Sequence, residues 1–295
     1  MKLDRILVAT DFSEPSRQAA AWAAKQLGPH AELTLFHCVN APMPPAFLRS
    51  AVPHLEQIVE SERVGAQKRL EDFAAEIGLQ GTCRVTIGGR AHEAIVSCSK
   101  DSQADMILIG PHGERGTLGE LMMGSVPEKL IRSTDTPLFV ARGMTFEKPT
   151  TILSPVDDSE TARHAFEWAV HLGKLFGAKV IAFQSVPTWY AHQLERVASD
   201  KEAKTLIQEQ LRIAQEWLDR FAQDFSSSGV TIETKVLPGN PDATILLEAA
   251  EARADVIVMG SRGSGGASPF LGSVARYVLR NAKCSTMVAS AAHPA

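Results

Sequence analysis

The sequence predicts an α/β protein made of two tandem, doubly wound domains, each built on a five-stranded parallel sheet. Three observations carry this. The chain repeats itself at an offset of about 146 residues, its short apolar runs lack in-out alternation, and those runs alternate with segments of helical period.

The repeat comes first, because a missed duplication would mislead everything after it. Asp4 to Glu14 (DRILVATDFSE) is matched by Thr151 to Glu160 (TILSPVDDSE), with Asp11 over Asp157, and a tryptophan follows at the same distance in both, Trp22 and Trp168. Gly89 and Gly239 open matching helices. Each helix leads into a strand preceded by an acid, Asp105 to Gly110 (DMILIG) and Asp255 to Gly260 (DVIVMG). A glycine-bearing loop, a Gly-Ser pair and a last strand follow, Pro137 to Ala141 or Thr286 to Ala289. The copies are placed at residues 1–143 and 150–295, joined by residues 143–150 (GMTFEKPT). A chain of 295 residues is comfortable for two domains of about 150.

Within one copy the order is strand, helix, strand, long helix, strand, helix, strand, helix, strand. The long helices are expected near His54 to Ile77 and Asp200 to Phe225. Strands that are apolar on both faces are buried on both faces, so the sheet is expected to be parallel, covered by helices on each side and Rossmann-like.

Composition narrows the function classes. Hydrophobic residues make up 44% and charged residues 22%, with a net charge of -4, an ordinary globular balance that argues against a nucleic-acid partner. The apolar run at Ile6 to Thr10 is too short for a signal peptide or a membrane span, so a cytoplasmic protein without membrane association is expected. Cys38, Cys83, Cys98 and Cys284 are scattered without metal-ligand spacing and read as buried, reduced thiols.

Ligands of doubly wound sheets sit at the carboxyl ends of the strands where the winding reverses, here after the first and fourth strands. There copy one reads Gly110-Pro111-His112-Gly113, ten residues, then Gly124-Ser125. Copy two reads Gly260-Ser261-Arg262-Gly263, eight residues, then Gly272-Ser273. Glycines let backbone N–H groups close on an anion, and a following helix N-terminus adds partial positive charge, a combination that suits phosphates. The same glycines also serve as ordinary turn punctuation, and Ser125 or Ser273 could cap its helix as well as bind a phosphate. Asp11 and Asp157 read either as turn or N-cap residues or as part of this site.

These motifs resemble the universal stress proteins, whose ATP-binding members carry Gly-x2-Gly-x9-Gly-Ser/Thr and an Asp after the first strand. The resemblance covers nearly the whole chain twice and implies an adenine nucleotide alpha-hydrolase-like fold. It implies that Asp11 and Asp157 contact ribose, and that Val39 and Val186 line the adenine pockets. Gly110, Gly113, Gly124 and Ser125, with Gly260, Gly263, Gly272 and Ser273, would hold the phosphates. It also implies that the last strands pair between copies, covering their edges, and further pairing into a homodimer is an expectation of the same kind.

The copies depart from the pattern differently, since the inner segment has ten residues in one and eight in the other where the family has nine. Ser125 to Glu128 reads as a capping box, with Glu128 at the third helical position, and Pro127 removes an N–H from the first turn. Copy two has Arg276 at the corresponding third position and Arg262 inside its loop, both able to approach phosphate oxygens or to remain solvated surface charge. His112 occupies the slot of Arg262, as a phosphate donor when protonated or as an exposed loop residue. Copy two is therefore expected to be the tighter site.

No GxxxxGK[ST], GxSxG or HExxH motif is present, so ATP is expected to be held more than consumed, with hydrolysis at most slow and any magnesium brought by the nucleotide. The leading expectation is a stress-response regulator whose surface toward partner proteins changes with nucleotide occupancy. The alternatives are a ligand-free dimerisation platform and a slow ATPase. Segments 40–55 and 187–198 differ most between copies and are expected to gate the pockets.

Overall fold

The computed structural model describes residues 1–40, 53–113, 124–143, 147–187, 200–263 and 271–290. Most of the two expected gating segments and the inner parts of both glycine loops lie outside the described residues. The chain divides into two compact units, Lys2–Glu147 and Lys148–Ala295.

Copy one runs β1 (Arg5–Ala9), α1 (Glu14–Gln26), β2 (Glu32–Val39), α2 (Leu55–Glu76), β3 (Gly81–Ile87), α3 (Ala91–Asp101), β4 (Met106–Ile109), α4 (Ser125–Ser133) and β5 (Leu138–Val140). Copy two runs β6 (Thr151–Pro155), α5 (Glu160–Phe176), β7 (Lys179–Val186), α6 (Asp200–Gln223), β8 (Ile232–Pro238), α7 (Pro241–Glu251), β9 (Val256–Gly260), α8 (Ser273–Asn281) and β10 (Ser285–Ala289). In copy one β1 pairs in parallel with β2 and β4, β2 with β3, and β4 with β5. Copy two repeats this, with β6 between β7 and β9, β8 beyond β7 and β10 beyond β9. The winding reverses between β1 and β4 and between β6 and β9, which opens a crevice at those carboxyl ends.

The central strands are as apolar as expected. Ile6, Leu7 and Val8 of β1 and Val256, Ile257 and Val258 of β9 are buried, each such side chain stabilising the fold by about 1.5–3 kcal/mol. The outer strands β3 and β8 behave differently: Gly81 to Ile87 alternates exposed and half-buried, because helices cover less of an outer strand. The repeated tryptophans are core residues, and Trp22 stacks on Phe139 with ring centroids 5.6 Å apart. The cysteines only partly match expectation. All four are free thiols, but Cys98 alone is buried, while Cys38, Cys83 and Cys284 are half-buried near strand ends and outer strands.

The acid before the fourth strand of each copy has a structural role that its repetition signalled. Asp105 Oδ2 accepts from the backbone N–H groups of Asp4 (2.8 Å) and Arg5 (2.9 Å). Asp255 Oδ2 accepts in the same way from Thr150 (2.7 Å) and Thr151 (3.0 Å). Each carboxylate ties the amino ends of two neighbouring strands together, opposite the crevice.

Candidate functional site

Asp157 follows β6 at the crevice. Its Oδ1 accepts from Ser159 N (3.1 Å) and Ser159 Oγ (2.5 Å), while Ser159, not the aspartate, caps α5 by accepting from Ala162 N at 3.1 Å. Copy one repeats the turn, with Asp11 Oδ1 accepting from Ser13 N and Ser13 Oγ. The turn reading and the site reading of the aspartate thus fall on different oxygens. Oδ2 of Asp157 lies so close to the second loop glycine that a Cβ on Gly263 would come within 2.7 Å of it, and a Cβ on Gly113 would run into Asp11 Oδ2. Gly110 and Gly260 have another reason to be glycine: a Cβ there would come within 3.0–3.1 Å of Pro15 and Ser16, or of Thr161, at the start of the helix that follows the first strand of each copy.

Each glycine loop closes on itself by one backbone bond, Gly124 N to Pro111 O in copy one and Gly272 N to Ser261 O in copy two, both 2.9 Å. Gly124 and Gly272 are the N-cap residues of α4 and α8. The expected capping box is therefore displaced by one residue: Ser125 is the first helical residue and Glu128 the fourth, because glycine with extended backbone already occupies the cap. Arg276 is likewise fourth, and its N–H makes the first intrahelical bond to Gly272 O at 3.0 Å. Ser273, Val274 and Ala275 precede that first bond, so their N–H groups point from the helix end without intrahelical acceptors. In copy one the third of these residues is Pro127, so α4 offers two such groups where α8 offers three.

In copy two these pieces surround a cavity of about 530 Å3, within the range of small-molecule sites. Asp157, Gly260, Arg262, Gly263, Gly272 and Ser273 all line it, together with apolar Val156, Ala162, Phe183, Ile245 and Met259. Arg276 is not among the lining residues. Its Nη2 donates to Leu271 O at 3.4 Å, and its buried Nε has no acceptor among the described residues. Val186 is also outside the lining, and its carbonyl accepts from Gly239 N at 2.9 Å, as Val39 accepts from Gly88 N at 3.0 Å. The strand end is represented instead by Gln184 and Ser185, which reading the strand as a buried apolar run did not single out.

Register places copy one's counterparts. Phe36 and Phe183 hold equivalent positions, accepting from Thr10 N and Val156 N respectively, so His37 stands where copy two has Gln184. Thr10 and Ser16 stand where copy two has Val156 and Ala162. They are hydrogen-bonded to each other at 2.9 Å, and Ser16 Oγ donates on to Ser13 O. His37 Nδ1 lies 2.8 Å from Thr10 O. Phe12, in the left-handed region at φ 64, packs against the His37 ring with centroids 4.6 Å apart, and the Arg69 guanidinium lies 5.3 Å from the Phe12 ring centre. Burial, with a smaller contribution from Arg69, holds His37 below its ordinary value against the raising effects of Thr10 and Asp11. His112 sits partly exposed on the copy-one loop, beside Gly124.

Twice along one chain, a doubly wound parallel sheet sets an aspartate after its first strand against a glycine loop after its fourth, the arrangement of a small α/β domain with a crevice at its switch point. The universal stress protein family model matches residues 2–142 and again residues 149–290. The chain belongs to the universal stress protein family, with two such domains. It is 30% identical over 148 residues to a universal stress protein of Synechocystis, spanning 46% of this chain and 95% of that one. A universal stress protein of Mycobacterium tuberculosis is 25% identical over 303 residues, covering 96% of this chain and 95% of its own. The crystal structure of a universal stress protein from Archaeoglobus fulgidus shares the fold, with a TM-score of 0.68 at 19% identity, over 98% of this chain and 99% of that one. Among the described residues no helix is long and apolar enough to cross a membrane.

Proposed function

We infer that copy two binds an adenine nucleotide and that the protein acts as a cytoplasmic stress-response regulator read out through that occupancy. The order of groups along the crevice carries the reading. The strands lie in the order β7, β6, β9, neighbours about 5 Å apart, and the cavity wall passes from Phe183 and Gln184 through Asp157 to the Gly260–Gly263 loop and the start of α8. Base, ribose and phosphate follow one another in that sequence and at that scale. The apolar wall suits a planar base, the carboxylate accepts from ribose hydroxyls, and the N–H groups of Ser273, Val274 and Ala275 with Arg262 face an anion. Any magnesium would come with the phosphates. Equilibrium titration of the full chain with ATP tests this: saturable binding is expected, and none at millimolar ATP sinks it. Phosphate release indistinguishable from buffer is expected alongside, and catalytic turnover would move the reading to an ATPase.

A second reading applies to copy one. Phe12 packed at a tilt against His37, the Thr10 to Ser16 hydrogen bond and Pro127 favour a domain retained for its surface rather than for a ligand. On this reading one nucleotide binds per chain, and a titration that saturates at two would refute it.

A further inference from the structure

We propose that Gln184 reads the base: its side-chain amide oxygen accepts a hydrogen bond from the exocyclic amino group of adenine and makes copy two selective for 6-aminopurine nucleotides. This rests on the adenine-nucleotide reading of copy two and names the residue that sets its specificity.

The starting observation is an imbalance. Gln184 Oε1 is buried and, among the described residues, has no hydrogen-bond partner, although the residue lines the cavity. A buried acceptor left unpaired is costly, and a ligand that supplies a donor recovers that cost as affinity. The cavity's other polar side chains are differently committed. Ser185 Oγ donates to Gly239 O at 2.8 Å and accepts from Thr244 Oγ1 at 2.9 Å. Asp157 Oδ1 is held by Ser159, and Arg262 and Ser273 stand at the glycine-loop end. Gln184 is thus the polar group on the apolar side, carried by β7, with the Asp157 strand between it and the anion end. An acceptor in that position meets the edge of a base whose ribose lies at Asp157.

The chemistry of the edge selects the base. Adenine offers an amino donor at position 6, and glutamine is a good partner for the adenine edge. Purine ribonucleoside triphosphate, which is ATP without the 6-amino group, would leave Oε1 unpaired. A site built around a polar partner rejects the analogue that lacks it more strongly than an apolar pocket rejects a size change. Copy one offers no equivalent, because His37 stands at that position with Nδ1 against Thr10 O.

The test is calorimetric titration of the full chain and of Gln184→Leu with ATP and with purine ribonucleoside triphosphate. The parent is expected to prefer ATP by about tenfold, and Gln184→Leu to bind the two alike by weakening ATP alone. Without ligand, Gln184→Leu is expected to melt no lower than the parent, since it removes an unsatisfied acceptor. Equal affinities in the parent, a preference that survives in Gln184→Leu, or a marked fall in its unliganded melting temperature each overturns the role of Gln184 while leaving ATP binding intact. A parent that binds neither nucleotide overturns the adenine reading and this inference with it.

Discussion

The contact between Gly263 and Asp157 gives a prediction with an internal control. A methyl group at Gly263 would come to 2.7 Å from Asp157 Oδ2, whereas ordinary contact begins at 3.4 Å, so the carboxylate must retreat by about 0.7 Å. Gly263 is not among the residues at positive φ, so backbone strain adds nothing. The carboxylate is also pinned on its other side, where Oδ1 accepts from Ser159 N and Oγ. It cannot retreat without stretching those bonds or turning Oδ2 away from the ribose position. Losing a charged hydrogen bond to the ligand costs about 1.5–3 kcal/mol, so Gly263→Ala should weaken ATP binding by roughly 10–150-fold. The control follows from the mechanism. If alanine acts only by displacing the carboxylate, Asp157→Ala and the double variant should bind ATP equally weakly, because nothing remains to displace. Calorimetric titration of the three variants reads this directly. Parent-like affinity in Gly263→Ala, or losses that add in the double variant, would refute the reasoning.

Three further outcomes follow from the same geometry. Replacing Phe12 and His37 by the copy-two residues, as Phe12→Asp with His37→Gln, removes the ring pair 4.6 Å apart and should raise ATP stoichiometry toward two per chain, with the second site the weaker because Pro127 remains. His37 is held below its ordinary value of 6.5 by burial, so the unfolded chain binds its proton more readily. The stability it contributes is complete above about pH 6.5 and falls as pH drops below that. Melting curves from pH 7.5 to 5 should decline more steeply in the parent than in His37→Gln, and parallel declines would discount this group. Finally, Lys235 Nζ lies 2.5 Å from Oε2 of the buried Glu248 and 3.6 Å from Glu251. Lys235→Met should destabilise by about 3 kcal/mol, the low end for breaking a buried pair because the lysine is partly exposed, and adding Glu248→Leu should restore most of it. A melting temperature unchanged in the single variant contradicts that assignment.

Much of the fold was legible because duplication states each local pattern twice. Continuous apolar runs at β1, β4 and β9 announced central parallel strands, β6 followed from its match to β1, and two aspartates at equivalent strand ends marked the crevice. The outer strands were harder to characterise, since the alternating exposure of β3 and the half-buried run of β8 depend on which strand lies outermost. The glycines and Arg262 of the candidate site were found from spacing. The cap position was not, because Gly-Ser at a helix start leaves open which of the two residues carries the extended backbone, and glycine took it in both copies. Gln184 and the Phe12–His37 pair escaped for another reason. Their significance lies in the comparison between copies, which requires the strand register that aligns Phe36 with Phe183.

Asp105 and Asp255 bear on how such a tandem chain can diverge. Each fixes the alignment of two strands from the end remote from the crevice, using backbone donors that are present whatever the side chains. Alignment of the β1–β4 and β6–β9 pairs is thereby uncoupled from the composition of the crevice loops. The opposite rim can then differ between the halves, with His37 where the other has Gln184 and Pro127 where it has Ala275, without a slip in pairing that would turn core side chains outward. A tandem chain anchored in this way can let the crevices of its two halves differ while both sheets keep their register.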